Sequence, residues 1–385
     1  MAMENKRQAL ELADIFNSYG EAFFDKHELC PDQIKAYNAI RNCRTARLGG
    51  HSDQCDHCGY TRNSYNSCRN RHCPKCQFLR KAKWVDKLAA NLPPVKHFHV
   101  VFTIPTCLNV IFYLNQDKAY SMLFKAAGQT LLQCAATRQN GGFQAGAVGV
   151  LHTWGQTLVY HPHIHMIVPA GGLSADEMEW IHSSKKFFLP VKILSKIFRG
   201  ILCRLLEQAV TKGVLNLPEG TSCFEDLKRL CYQKNWVVYC QKPFANTSAI
   251  IEYLGNYTHR VAISNHRLKA FEEGKVTFSY KDYKNNAQQR SLTLDSCEFI
   301  RRFLQHILPC GFYKIRYFGI LALCNLKSKL SQCLSLIGKA TWFPVMEGLN
   351  AMEVWQTLSG RDPFRCPKCF QGRMISGLLL KSGVG

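Results

Sequence analysis

Two stretches in the middle of the chain carry apolar residues at a period of two. QTLVY, starting at Gln156, and HPHIHMIV, starting at His161, read as extended runs, because alternate side chains of a strand point to one face. In the second, His163 and His165 project together, while Ile164 and Met166 project to the opposite face. HFHVVFTI, from His97, and WVVYCQ, from Trp236, also predict strands. Residues 7–28, 31–42, 78–90, 116–137, 191–212 and 224–233 read as helices. Pro93-Pro94 stops the third of these, and Gly141-Gly142 breaks the chain before the histidine strands. In SAIIEYLGNYTHRV, Ile250, Ile251 and Leu254 fall at helical spacing, behind the N-cap candidates Asn246, Thr247 and Ser248. Gly255 weakens that helix by about 1 kcal/mol. HRLKAFEEGKVTFSYKDY predicts a hairpin turning at Glu273-Gly274, and a helix from about Asp295 to Ile307 follows it. Irregular alternation of helices and strands, with hairpins, predicts an α+β fold with an antiparallel sheet.

The side chains on these elements carry the candidate chemistry. Two imidazoles on one strand face can share a divalent ion, so His163 and His165 are candidate ligands. Gln156, on the preceding extended run, is the first choice for the third, with His152 and His161 in reserve. The bland alternative is a pair of polar residues on a half-buried strand. His97-Phe98-His99 repeats the pattern with no second functional cluster beside it and reads as core or edge strand. If residues 248–261 are helical, Tyr253 and Tyr257 share a face one turn apart. Their alternative is ordinary aromatic packing.

A second metal signal lies between Cys43 and Cys76. Cys55-x2-Cys58 and Cys73-x2-Cys76 have the spacing of one four-cysteine zinc site, with Gly59 and Pro74 suited to the knuckle turns. Cys43, His51, Cys68 and His72 could hold a second zinc in a cross-braced module; the alternative is a buried thiol at Cys68 and a DNA-facing His72. Arg69, Arg71, Lys75 and Arg80 surround the knuckles and are candidate phosphate contacts, and Arg260 is a further candidate DNA contact. Cys366-Pro-Lys-Cys369 is half a knuckle whose nearest cysteines along the chain are Cys333 and Cys324.

Charge narrows the class of partner. A formal net charge of +22 and a pI near 9.3 are an electrostatic footprint for nucleic acid. No amphipathic basic helix stands out for a lipid surface, and no apolar stretch approaches the roughly 20 residues of a membrane span. MAMENKRQALELADIF has no signal-peptide core. Nineteen cysteines, an odd number in metal-like clusters, point to the reducing cytosol, and 46% hydrophobic residues suffice for two or three domains. The expected division is 1–92, a helical lead and zinc-binding module; 93–290, a catalytic domain; and 291–385, a helical C-terminal region with the half-knuckle. No G-x-x-x-x-G-K-[ST] occurs, so no P-loop helicase is built in.

FHVVFTIP, HTWGQTLVYHPHIHMIVPAGGLS, EYLGNYTHRVAISNHRL, VTFSYKDY and EFIRRFLQHILPCGFYKIRYFGILA resemble, in order and spacing, the two-tyrosine HUH endonucleases, specifically transposases of rolling-circle bacterial insertion sequences. NSCRNRHCPKCQ is similar to the zinc-binding module that precedes their catalytic domain. The resemblance runs from about Cys43 to Cys369. It implies an HUH core in which His163 and His165 bind Mg²⁺ or Mn²⁺, with the tyrosine helix packed beside their strand. It also implies that Tyr253 and Tyr257 are nucleophiles forming a 5′-phosphotyrosine. His259 and Arg260 are candidates to ease loss of the phenolic proton, and Tyr280 and Tyr283 are the next nucleophile candidates. Expected partners are single-stranded or hairpin element ends, a host helicase and a second copy in a homodimer, with no membrane, in a nucleoid-associated cytoplasmic setting. A replication initiator or conjugative relaxase using the same nicking chemistry, and a non-catalytic zinc DNA-binding regulator, are the alternatives.

Overall fold

The computed structural model describes residues 10–183, 189–221, 223–241, 244, 262–283, 285–338 and 343–381. Helices α1 (Leu12–Phe24) and α2 (Pro31–Arg41) open it. Their apolar stripes meet where Phe16 stacks on Tyr37 at 4.8 Å and the Tyr37 hydroxyl donates to the Phe16 carbonyl at 2.8 Å. Strands β1 (Gly50–Cys55) and β2 (Thr61–Tyr65) form an antiparallel pair, and α3 (Phe78–Ala90) ends just before the proline pair.

The next elements build the central sheet. Strand β3 (His97–Thr103) is followed by α4 (Asn109–Leu114), α5 (Gln116–Ala136), β4 (Gly146–Trp154) and β5 (Tyr160–Pro169). A small ribbon, β6 (Gly171–Leu173) with β7 (Trp180–His182), leads to α6 (Val191–Thr211), α7 (Phe224–Gln233) and β8 (Val238–Cys240). A three-stranded antiparallel sheet follows, β9 (Leu268–Glu272), β10 (Lys275–Asp282) and β11 (Gln288–Asp295). Helix α8 (Ser296–Leu304) starts where the Asp295 carboxylate accepts the Cys297 and Glu298 amides, satisfying two orphan donors of its first turn. Strand β12 (Ile315–Gly319), helices α9 (Ser331–Ile337) and α10 (Ala351–Ser359), and β13 (Met374–Leu380) complete the chain.

The fold is α+β with antiparallel sheets. The central sheet runs β12-β4-β5-β3-β8, every neighbouring pair antiparallel. Its two faces follow from the period of two. Phe98, Val100, Phe102, Ile164 and Met166 point to one side and share a core with Leu123 and Phe124 of α5 and Phe198 and Leu202 of α6. Each such side chain, fully buried, contributes about 1.5–3 kcal/mol. The other face carries the histidines. A second core joins residues far apart in sequence: Phe16 of α1, Phe278 of β10, and Phe299 and Phe303 of α8.

Three expectations change here. The QTLVY run is not a strand: Gln156 and Thr157 lie in the turn between β4 and β5, and β4 is the neighbour of the histidine strand. The segment carrying Tyr253 and Tyr257 lies outside the described residues. Finally, residues 291–385 do not form a separate helical region. Strand β12 completes the central sheet beside β4, and β13 pairs with β1 at the far end of the chain. No described helix is long and apolar enough to cross a membrane.

The β12–β4 junction depends on one glycine. Gly319 has φ +58°, and a Cβ there would collide with the Ala145 carbonyl oxygen. Gly319→Ala should therefore lower the unfolding free energy by roughly 2–5 kcal/mol, from left-handed strain plus overpacking. Urea denaturation at constant slope reads this; an unchanged midpoint would mean that the backbone relaxes freely.

Candidate metal centre

The β4–β5 register sets the site. His152 lies directly opposite His163, and Val150 opposite His165, so His152, His163 and His165 project from the same face. Their ligating atoms all lie within 4.8 Å of one another. His152 is buried, while His163 and His165 are half-buried. The set is mutually packed: the His152 and His165 rings are 4.5 Å apart, and those of His163 and His165 4.8 Å.

Hydrogen bonds outside the triad choose which nitrogens face a ligand. His163 Nδ1–H donates to the His161 carbonyl at 2.7 Å, which leaves Nε2 as its ligating atom. His99, on β3, lies against His165, with Nε2 2.8 Å from His165 Nδ1 and the rings parallel at 5.0 Å. Gln241 Oε1 lies 3.2 Å from His99 Nδ1. With that oxygen accepting from Nδ1–H, His99 Nε2 accepts from His165 Nδ1–H, and His165 Nε2 carries the lone pair a metal requires. The chain works only with neutral rings. Burial keeps His99 neutral, lowering it to about 4 against the opposing Gln241 bond, and likewise lowers His163 to about 4 against the opposing His161 carbonyl.

These contacts revise the ligand set. Gln156 sits in the β4–β5 turn and is engaged elsewhere: its Oε1 accepts the Lys281 amide at 3.4 Å, and its carbonyl accepts from Arg267 at 2.6 Å. His152, one of the two reserves, is the residue that joins His163 and His165 in the cluster, because register places it across from His163. His161 shares the face, 5.3 Å ring to ring from His163, but is not in the cluster. Of the two readings of His97-Phe98-His99, core and edge strand, the core one holds. Strand β3 is interior to the sheet, and His99 orients His165. No local signal could reveal this, since His99 meets His165 only through strand pairing. Tyr253, Tyr257, His259 and Arg260 lie outside the described residues.

The cysteines also divide differently from their spacing. Cys43, Cys68, Cys73 and Cys76 form one cluster, with Cys76 Sγ 3.3 Å from Cys43 Sγ and 3.6 Å from Cys68 Sγ. Cys55 and Cys58 are not with Cys73 and Cys76. They meet Cys366 and Cys369 instead, so the C-terminal half-knuckle pairs with neither Cys324 nor Cys333. Strand geometry explains this: Cys55 ends β1, and β1 runs beside β13. His51 is in neither cluster, and its Nε2 lies 3.5 Å from Asp53 Oδ2 on its own strand. His72 is likewise in neither. Desolvation holds it well below the ordinary imidazole range, and its Nε2 accepts the Leu308 amide at 3.3 Å.

The basic residues around the knuckles divide as well. Arg71 donates to the carbonyls of Leu308, Pro309 and Phe312, at 3.1, 2.6 and 2.5 Å, fastening the cysteine module to the loop before β12. Lys75 pairs with Glu11 at 2.6 Å. Arg71 and Lys75 are thus structural, while Arg69 and Arg80 are exposed.

Known families match both halves of this arrangement. The family model Y2_Tnp, described as "Putative transposase", matches residues 146–329, from the start of β4 past β12. Zn_Tnp_IS91, described as "Transposase zinc-binding domain", matches residues 15–104. The chain is 42% identical over 385 aligned positions to "Putative transposase y4qJ" of Sinorhizobium fredii (strain NBRC 101917 / NGR234), covering 96% of this chain and 95% of that protein. The chain belongs to the IS91-type transposases. It is also 29% identical over 346 positions to "Transposase for insertion sequence element IS801" of Pseudomonas savastanoi pv. phaseolicola, covering 88% of this chain and 82% of that one. No solved structure matches it significantly. The cysteine clusters of this transposase suit Zn²⁺, as its zinc-binding domain requires.

Titration with Mn²⁺ should show His152→Ala weakening binding as severely as His163→Ala, and His99→Phe weakening it about 10–100-fold through loss of the orienting bond. Wild-type affinity in His152→Ala would remove it from the ligand set. His306 is also buried, its Nε2–H donating to the Leu158 carbonyl and its Nδ1 accepting from the Thr153 hydroxyl, both at 3.1 Å. Burial lowers it to about 3, despite the opposing Leu158 bond. Because the folded value lies below the ordinary value of about 6.5, the unfolded chain takes up this proton first as pH falls. The stability is complete above pH ~6.5 and is lost towards pH ~3. His306→Gln should flatten the stability–pH slope between about pH 6.5 and 5, by up to about 1.4 kcal/mol per pH unit. An unaltered slope would show that His306 already titrates normally.

Proposed function

We propose that this transposase nicks and rejoins single-stranded DNA at the ends of an insertion sequence through a 5′-phosphotyrosine, in a rolling-circle route. The observation carrying the reading is the His152, His163, His165 cluster, three imidazoles on one face of a sheet inside the matched transposase segment. Three such ligands suit Mn²⁺ and related divalent ions better than Mg²⁺, which prefers oxygen. When bound, the ion would polarise the scissile phosphate and stabilise the leaving oxygen.

The remaining chemistry belongs to the side chains. Tyr253 and Tyr257 are the nucleophiles in this reading. The phenolic oxygen attacks phosphorus, its proton passes to a nearby base, and the bond to the 3′ oxygen breaks, leaving a 5′-phosphotyrosine and a 3′-hydroxyl. A tyrosine has an ordinary pKa near 10, so the proton transfer must be assisted; His259 and Arg260 are the candidates. Because the phosphotyrosine conserves the energy of the broken bond, rejoining needs no ATP. The second tyrosine permits a second cut while the first end is held. Arg69, Arg80 and the +22 net charge support phosphate binding. With no P-loop motif in the sequence, hairpin extrusion or a host helicase would supply single strands, and a homodimer acting in the nucleoid completes the proposal.

Incubating the protein with labelled single-stranded end DNA and Mn²⁺, then separating under denaturing conditions, tests this. The wild type should give a covalent adduct that EDTA abolishes, while Tyr253→Phe with Tyr257→Phe should give none. Each single variant should retain some first-strand cleavage but fail to complete transfer. An adduct surviving in the double variant would move the nucleophile elsewhere, with Tyr280 and Tyr283 next to test. Affinity should fall steeply with salt, as neutralised phosphates release counterions.

A further inference from the structure

We propose that Cys55, Cys58, Cys366 and Cys369 hold a zinc ion of their own, separate from that of the Cys43 cluster, and that this ion clasps the two ends of the chain into one split zinc ribbon. The four sulfur atoms lie within 4.8 Å of one another, with Cys55–Cys369 and Cys58–Cys366 both at 3.8 Å. A tetrahedron of Zn–S bonds about 2.3 Å long has edges of about 3.8 Å.

Both knuckles are preformed for thiolates. The amides of His57 and Cys58 point at Cys55 Sγ, at 3.4 and 3.5 Å, and the Lys368 amide points at Cys366 Sγ and the Gly372 amide at Cys369 Sγ, both at 3.4 Å. Donors aimed at sulfur stabilise the charged form that binds metal. The two knuckles also interlock: the Asp56 amide donates to the Arg373 carbonyl at 3.1 Å, and the Arg373 amide donates to the Asp56 side-chain Oδ1 at 2.8 Å. Gly372 makes the approach possible, since a Cβ there would lie 2.6 Å from Cys55 Sγ.

The ribbon needs the ion because it has almost no core. Its buried apolar residues are Cys55, Cys366 and Met374, with Tyr60 and Cys369 packed against them. Strand β2 is exposed at alternate positions, and Leu378 and Leu379 of β13 are more than four-fifths exposed. Backbone pairing without apolar burial is marginal at best, whereas zinc ligation is itself folding energy. The ion therefore anchors the C-terminal strand to the N-terminal zinc-binding domain.

Zinc analysis of the full chain tests the assignment. Cys366→Ser with Cys369→Ser should halve the zinc content, and Cys43→Ser with Cys76→Ser should halve it in a complementary way. Unchanged zinc in the first variant would overturn the proposal. A measurement on the wild type guards against misfolding of the variants. Cys58 is exposed, as are Cys30 and Cys310. Under native alkylation, Cys58 should resist labelling while Cys30 and Cys310 react, and a chelator should release Cys55, Cys58, Cys366 and Cys369 together. Labelling of Cys58 at the rate of Cys30 in the zinc-loaded protein would refute the clasp.

Discussion

The antiparallel register of β4 against β5 is the constraint on which the site depends. It places His152 across from His163 and puts Leu151, Ile164 and Met166 on the face opposite the histidines. A slip of one residue in β5 would send His163 and His165 into the helix-covered core and Ile164 and Met166 to the other side. The register is held because Ile164, Met166 and Leu151 are buried in the core shared with α5 and α6. The same apolar packing that stabilises the sheet thus orients the candidate ligands.

Burial then sets their chemistry. Burial penalises charge on an imidazole, so His163 and His99 are held neutral well below their ordinary titration range. Neutral rings can bind one another in a directed chain, from Gln241 through His99 to His165, and can still offer a lone pair. The His161 carbonyl does the same for His163 with backbone alone.

Segments distant in sequence are fastened by a few polar contacts. Arg71 gathers three carbonyls of the loop that leads into β12, so the cysteine module is tied to the strand that completes the central sheet. The pairing of β1 with β13 joins the chain ends. The described C-terminal strands are shared with the N-terminal and central sheets, and for this reason a division at residue 291 does not separate the fold.

Local order was legible without a structure. Helical spacing and proline stops marked α3, α5, α6 and α7 nearly to the residue, and the turn at Glu273-Gly274 marked the β9–β10 hairpin. The period of two put His163 and His165 on one face, and the knuckle spacings marked the cysteines as metal ligands. Such features depend on residues a few positions apart, which backbone geometry alone brings together. Partners across the fold were not legible. That His152 and not Gln156 completes the histidine cluster, that His99 orients His165, and that Cys55 and Cys58 meet Cys366 and Cys369 all depend on which strands pair and in what register. Several pairings satisfy the same local spacing, and only burial of the apolar faces within one closed tertiary structure selects among them.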